Sequence, residues 1–264
     1  MVPAGTGELR APETPATMRS PRRAAGLAAR LYWLWPALLM LACASLRLGT
    51  PSLWADELAT WGAVRLDWPQ LRHLLGRVDG VFAPYYFVLH AWTSLAGTSP
   101  VALRLPSVLV MAAAAALVAV LGARLVDRWA GLLAGLVFAL VPATSRYAQE
   151  ARPYAFSVLF AVLATLLLIR YQQRPGPRTG AWYALAIALL GAAHLLGLLL
   201  LLAHAVAARR RLATWAGWAA AGVLPLLPLI WLGYRQRAQA DWIPPPGLSI
   251  VLSSPDIVFT SAEV

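Results

Sequence analysis

The sequence predicts an all-α integral membrane protein, with about seven transmembrane helices and juxtamembrane helices in its first outer loop. Three observations carry this reading. The 264 residues are 60% hydrophobic and only 12% charged, with a mean hydropathy of +0.64; a soluble domain carries roughly 25% charged residues. The apolar residues fall into long runs, as a hydrocarbon core of ~30 Å requires. All 22 basic residues are arginine, clustered mostly between those runs, which is how a polytopic protein places its charge. The net charge of +11 is therefore a topological signal, and no nucleic-acid partner is expected. The single cysteine, Cys43, excludes an internal disulfide and a cysteine-rich metal site.

Residues 1–29 are rich in Pro, Ala, Thr and Arg without hydrophobic period, and read as a disordered cytoplasmic tail. The apolar runs follow at about 31–46, 81–97, 105–123, 129–145, 153–169, 181–208 and 213–234. The run 181–208 is long enough for two short spans, and GAAHLLG at 191–197, with two glycines around His194, marks a tight reversal. The run 81–97 contains Pro84, Tyr85, Tyr86, His90 and Trp92, an interfacial composition. With that run at the surface, the cytoplasmic side holds 13 arginines and three acids (+10), and the outer side nets +1. If it spans instead, the balance becomes +4 inside and +7 outside. The positive-inside rule selects the first arrangement: seven spans over 30–235, with a cytoplasmic amino terminus.

This topology places Asp56, Glu57, Asp67, Asp79, Glu150 and His194 on the outer face. The central parts of the spans carry no acid or arginine, which argues against a secondary transporter. The first outer loop, 47–104, has order of its own. Asp67 with Pro69 signals a helix start, and Trp68, Leu71, Leu74 and Leu75 recur at helical spacing around Arg72, as in an amphipathic interfacial helix. The Asp56–Glu57 pair follows the first span directly. It reads equally as a catalytic acid pair or as the solvated start of a loop. His90 and His204 have apolar neighbours and read as packed or interfacial.

LWADELATW (53–61), VDGVFAPYYFVLHAW (78–92), ALRLPSVL (102–109), RYAQEARPY (146–154) and GAAHLLGLLLL (191–201) occur in order. Together they resemble the membrane module of polyprenyl-phosphate-sugar-dependent glycosyltransferases of the GT-C fold. The similarity is to the family 39 group, which includes protein O-mannosyltransferases and lipid A aminoarabinose transferases, and it covers about residues 30–235. The resemblance implies a membrane glycosyltransferase of the cell envelope, moving mannose or a related sugar from a polyprenyl phosphate to an extracytoplasmic acceptor. It implies that Asp56 lies beside the acceptor nucleophile, with Glu57 as acidic neighbour. Asp79 matches the acidic position ahead of a motif written HPPLYY, of which Tyr85 and Tyr86 remain, and Arg104 matches the arginine before the next span. The second outer loop, with Arg146, Tyr147, Gln149, Glu150, Arg152 and Tyr154, corresponds to the loop that holds lipid phosphate and sugar. The sequence departs from the pattern at Val81, Phe82 and Ala83, where relatives carry His-Pro-Pro.

Such a donor already carries a good leaving group, so the enzyme needs donors for phosphate and a base for the acceptor. Arg146 and Arg152 offer the bidentate fork, with Tyr147, Tyr154 and Gln149 as neutral donors; interfacial anchoring explains each one singly about as well. Asp56 is the expected base, a role that contributes about 10²–10⁴-fold, and a single displacement inverts the anomeric centre. Glu57 or Asp79 positions sugar or acceptor. Glu150 is equally suited to a structural pair with arginine, and His194 to donation to phosphate or to a backbone contact. No cofactor is expected, and no zinc-type spacing occurs, although two or three outer carboxylates suit a weakly bound divalent ion. A lipid-linked sugar transporter and a non-catalytic or truncated relative are the other readings. Segment 236–264 reads as the start of a further outer part. Abundant alanine and absent lysine suggest a bacterial plasma membrane.

Overall fold

The computed structural model describes residues 31–241, and every regular element among them is a helix. The tail expected over 1–29 lies outside the described residues, as does all of 236–264 beyond Asp241. Helix α1 is Leu34–Ser45, α2 Ala55–Val64, α3 Trp68–Leu75, α4 Ala83–Ala96, α5 Pro100–Leu125 and α6 Arg128–Leu140. Then come α7 Pro142–Ala148, α8 Tyr154–Gln173, α9 Pro177–Ala193, α10 Leu200–Ala207, α11 Leu212–Val223 and α12 Leu227–Arg235. Short 3₁₀ turns occupy Gly80–Phe82, Leu195–Leu199, Arg209–Arg211, Leu224–Leu226 and Arg237–Ala240.

The protein is a polytopic helical membrane protein. Three segments are long and apolar enough to cross a bilayer: α5, α8 and the stretch Arg209–Arg235 that contains α11 and α12. A fourth forms if α6 and α7, bent by 67° ahead of Pro142, count as one. Length therefore does not reach the expected seven. Helix α1 has 12 residues, about 18 Å at 1.5 Å per residue, and α9 has 17. The expected reversal at 191–197 is present as a break. His194 is extended (φ −159°, ψ 115°), and Leu198 folds back against Gly191. At 14 residues α4, like α1, falls short of the ~20 residues a full span needs.

Local chemistry explains the boundaries. Asp67 caps α3 by accepting from the Gln70 backbone N–H at 2.8 Å, and Gln70 Oε1 accepts in return from the Asp67 N–H, with Pro69 in the first turn. Ser99 and Pro100 start α5 five residues before the apolar run does. Asp127 caps α6 through the N–H groups of Trp129 and Ala130. Small residues let the helices approach closely: a Cβ at Gly131 of α6 would stand 2.3 Å from the Ala119 carbonyl oxygen of α5. His90 is packed, its Nδ1 bonded to the Val64 carbonyl at 3.0 Å.

Four helices are joined by one chain of hydrogen bonds. Trp215 Nε1–H (α11) donates to Tyr183 Oη (α9) at 2.9 Å, which sits 3.0 Å from His204 Nδ1 (α10). His204 Nε2 lies 3.2 Å from Thr165 Oγ1 (α8), and Thr165 donates to the Ala161 carbonyl at 2.9 Å. One assignment satisfies every group: Tyr183 donates to Nδ1, and a neutral His204 donates from Nε2 to Thr165. The packed reading of His204 therefore has a reason. Its polar atoms are fully paired inside an apolar bundle, where an unpaired one is costly.

Candidate functional site

Asp56 and Glu57 are neighbours in the first turn of α2, so their side chains leave the helix about 100° apart and take different roles. Glu57 is fully buried. Its Oε1 accepts from Arg104 Nε at 2.8 Å and from the Ala151 backbone N–H at 2.9 Å, while Oε2 accepts from Arg104 Nη2 at 2.6 Å. Arg104, also buried, donates further to the carbonyls of Leu48, Pro51 and Ser52. All five guanidinium donors are thereby committed to protein. Both residues border a cavity of about 670 Å³ together with Trp54, Ser145, Arg146 and Gln149. They form its braced floor, with no arginine N–H left over for a ligand.

Asp56 is the exposed member of the pair. Its carboxylate is 42% exposed and lies 3.4 Å from Nη2 of Arg152, whose side chain is only 8% exposed. The Arg152 guanidinium sits over the Phe82 ring, 5.1 Å from its centroid. Its Nε is buried without a hydrogen-bond partner. Burial alone pulls this guanidinium down, but Tyr86, Asp56 and Tyr154 outweigh it and hold the group above its ordinary value, a permanent cation. His194 stacks between Phe82 (5.6 Å) and Tyr154 (6.0 Å), and Tyr147 meets Tyr154 edge-on at 5.1 Å. Burial, then the nearby Arg152 charge, lowers the His194 imidazole, leaving it neutral at pH 7.

The other expected residues fall into place around this cation. Tyr85 is buried, its hydroxyl without a partner, and burial raises it despite the opposing Arg152 charge, so it stays protonated. Tyr86, pushed up to about 12 chiefly by burial, donates to Asp79 Oδ2 at 3.2 Å. Glu150, raised by burial and opposed by Arg146, pairs with Arg146 Nε at 3.2 Å. Gln149 donates to the carbonyls of Ala44 and Leu46, closing the end of α1. Thus Asp56, Arg152, Tyr154 and His194 converge, whereas Glu57, Arg104 and Gln149 are bonded within the protein. Sequence reading omitted Phe82 as a site residue, although the departure from His-Pro-Pro at that point was its visible signal. Among the described residues no group of three or more His, Cys, Asp or Glu is placed to hold a metal ion.

An apolar groove is lined in part by Tyr85, on which the Arg152 charge acts. About 160 Å³ lies between α4, α8 and α9, lined by Pro84, Tyr85, Phe156 and Leu189 among others. A further 470 Å³ shares Pro84, Leu189 and Ala192 and extends along Leu226, Leu229 and Leu232.

A family model described as dolichyl-phosphate-mannose-protein mannosyltransferase matches residues 83–234, more than half of the chain. No curated protein and no solved structure matches. The matched region contains Arg104, Arg152, Tyr154 and His194, while Asp56, Glu57 and Asp79 precede it.

The Glu57–Arg104 and Glu150–Arg146 pairs should differ sharply in worth. Arg104→Met strands a buried carboxylate and is expected to cost about 3–5 kcal/mol. Arg146→Met removes a half-exposed partner and should cost about 1 kcal/mol or less. Unfolding in mixed micelles measures both, and equal losses would contradict the assignment of Glu57–Arg104 as the structural pair.

Proposed function

The chain belongs to the dolichyl-phosphate-mannose-protein mannosyltransferase family, membrane glycosyltransferases of the GT-C type, and from that premise we propose that it transfers mannose from a polyprenyl phosphate to a hydroxyl of an extracytoplasmic acceptor. One observation carries the reading: a buried, permanently charged arginine with an unpartnered N–H lies beside a half-exposed carboxylate, and its charge reaches Tyr85, which lines an apolar groove. That combination suits a lipid phosphate. The polyprenyl chain takes the groove, Arg152 takes the phosphate oxygens, and protonated Tyr85 adds a donor in the groove's lining. Neutral His194 and Tyr154 flank the sugar. Binding of phosphate draws Arg152 away from its 3.4 Å link and leaves Asp56 free as base.

The chemistry is then a single displacement. The acceptor oxygen attacks the anomeric carbon as its proton passes to Asp56, and the bond from that carbon to the phosphate oxygen breaks. Polyprenyl phosphate leaves with the electron pair, its charge met by Arg152, and configuration inverts. The expected sites Glu57 and Arg104 act here by holding α2 and the second loop in register.

We assign the site to the outer face of a plasma membrane, bacterial by composition, with seven spans when the shorter helices α1, α9 and α10 are counted as crossings. The excess of cytoplasmic arginine supports this. In a Cys43→Ser background, cysteines introduced at positions 126 and 175 should resist an impermeant thiol reagent added from outside; strong labelling at either would overturn the topology.

Transfer of label from radiolabelled polyprenyl-phosphate mannose by reconstituted protein tests the function itself. Asp56→Asn is expected to lower the transfer rate by about 10²–10⁴-fold with donor binding retained. Arg152→Ala should chiefly weaken donor binding. Equal transfer by Asp56→Asn and wild type would sink the proposed base, and absence of donor binding by the wild type would favour a non-catalytic relative.

A further inference from the structure

We infer that Gln236 and Gln239 are positioning residues for the donor site, acting from the far end of the chain through Asp79 and Phe82; the inference rests on the donor reading above. Just past α12, Gln236 Oε1 accepts from the Gly80 N–H at 2.8 Å, and its Nε2 donates to the Leu75 carbonyl at 3.1 Å. One turn on, Gln239 Oε1 accepts from the Asp79 N–H at 3.3 Å, and its Nε2 donates to the Arg77 carbonyl at 2.6 Å. Each side-chain amide thus pairs with a peptide N–H and a peptide C=O of the first outer loop, about as a neighbouring strand would. The two glutamines are three residues apart and share one helical face.

Packing makes the clamp close. A Cβ at Gly80 would stand 2.4 Å from Leu232, and one at Gly233 would stand 2.6 Å from Val81, so both glycines are required where loop meets helix. Asp79 occupies the left-handed region (φ 55°), which a non-glycine residue holds only when its surroundings over-determine it. The clamp supplies that constraint at the Asp79 N–H itself. From there the effect reaches the site in two steps. The Asp79 carboxylate accepts from Tyr86, a neighbour of Arg152, and the turn Gly80–Phe82 carries the ring beneath the Arg152 guanidinium. Both halves of the clamp lie outside the matched residues 83–234.

The test uses the full chain in nanodiscs, with two readouts on the Gln236→Ala/Gln239→Ala variant: amide hydrogen exchange, and equilibrium binding of radiolabelled polyprenyl-phosphate mannose. The clamp predicts faster exchange at Asp79 and Gly80, unchanged protection in α8 and α9, and donor binding weaker by roughly tenfold, the scale of one or two net hydrogen bonds. Gln236→Glu keeps the acceptor for Gly80 but loses the donor to Leu75, and should fall between. Unchanged exchange, or faster exchange with undiminished donor affinity, overturns the proposal. If the wild type does not bind the donor, the donor reading fails and the positioning role fails with it, while exchange still reports whether the clamp exists. Should the double variant not fold, Gln239→Ala alone is read by the same criteria.

Discussion

A guanidinium and a carboxylate removed from water cost several kcal/mol each unless their charges and hydrogen bonds are fully met. Glu57 and Arg104 meet that condition, and the loops and helix ends near them are arranged around the pair. Arg104 gathers the carbonyls of Leu48, Pro51 and Ser52, fixing the chain as it leaves α1. Glu57 adds the Ala151 N–H, which pins the loop between α7 and α8 to α2. Three segments distant in sequence therefore share one ion pair, and neither partner can be removed without leaving the other charge buried.

The pair also sets what remains available for chemistry. Because consecutive helical residues diverge, burying Glu57 turns Asp56 outward, and pinning Ala151 places Arg152 beside it. Arg152 is a buried cation with capacity to spare: charged, and with its Nε–H unpaired. Two concavities differ in character: one is lined by Glu57, Arg104, Arg146 and Gln149, the other by Tyr85, Phe156 and Leu189. The lipid-borne donor of the family calls for an apolar channel, and the second is the apolar one.

Much of this was legible in the sequence, for local reasons. The helix start at Asp67 and the break at His194 follow from nearest-neighbour chemistry, and both are present in the fold. The count of seven spans was read from hydropathy, which sees apolar length but not helix length. Pro142 bends one run, and α1 ends after 12 residues. The division of labour within Asp56–Glu57 was invisible, since it depends on Arg104, 47 residues away. Phe82 was noticed only as a departure from a family pattern, and its place under Arg152 needs the fold. Gln236 and Gln239 gave no signal at all: two glutamines three apart are unremarkable until their amides meet a loop some 160 residues earlier.

The proposed chemistry turns on Arg152, and not Arg104 or Arg146, receiving the donor phosphate, with the lipid chain in the α4–α9 groove. An electron cryomicroscopy map of the protein with bound polyprenyl phosphate tests it most directly. The account predicts phosphate density within hydrogen-bond reach of Arg152 and tail density along Pro84, Phe156 and Leu189. Phosphate density beside Arg146 in the polar cavity, with the groove empty, would contradict it.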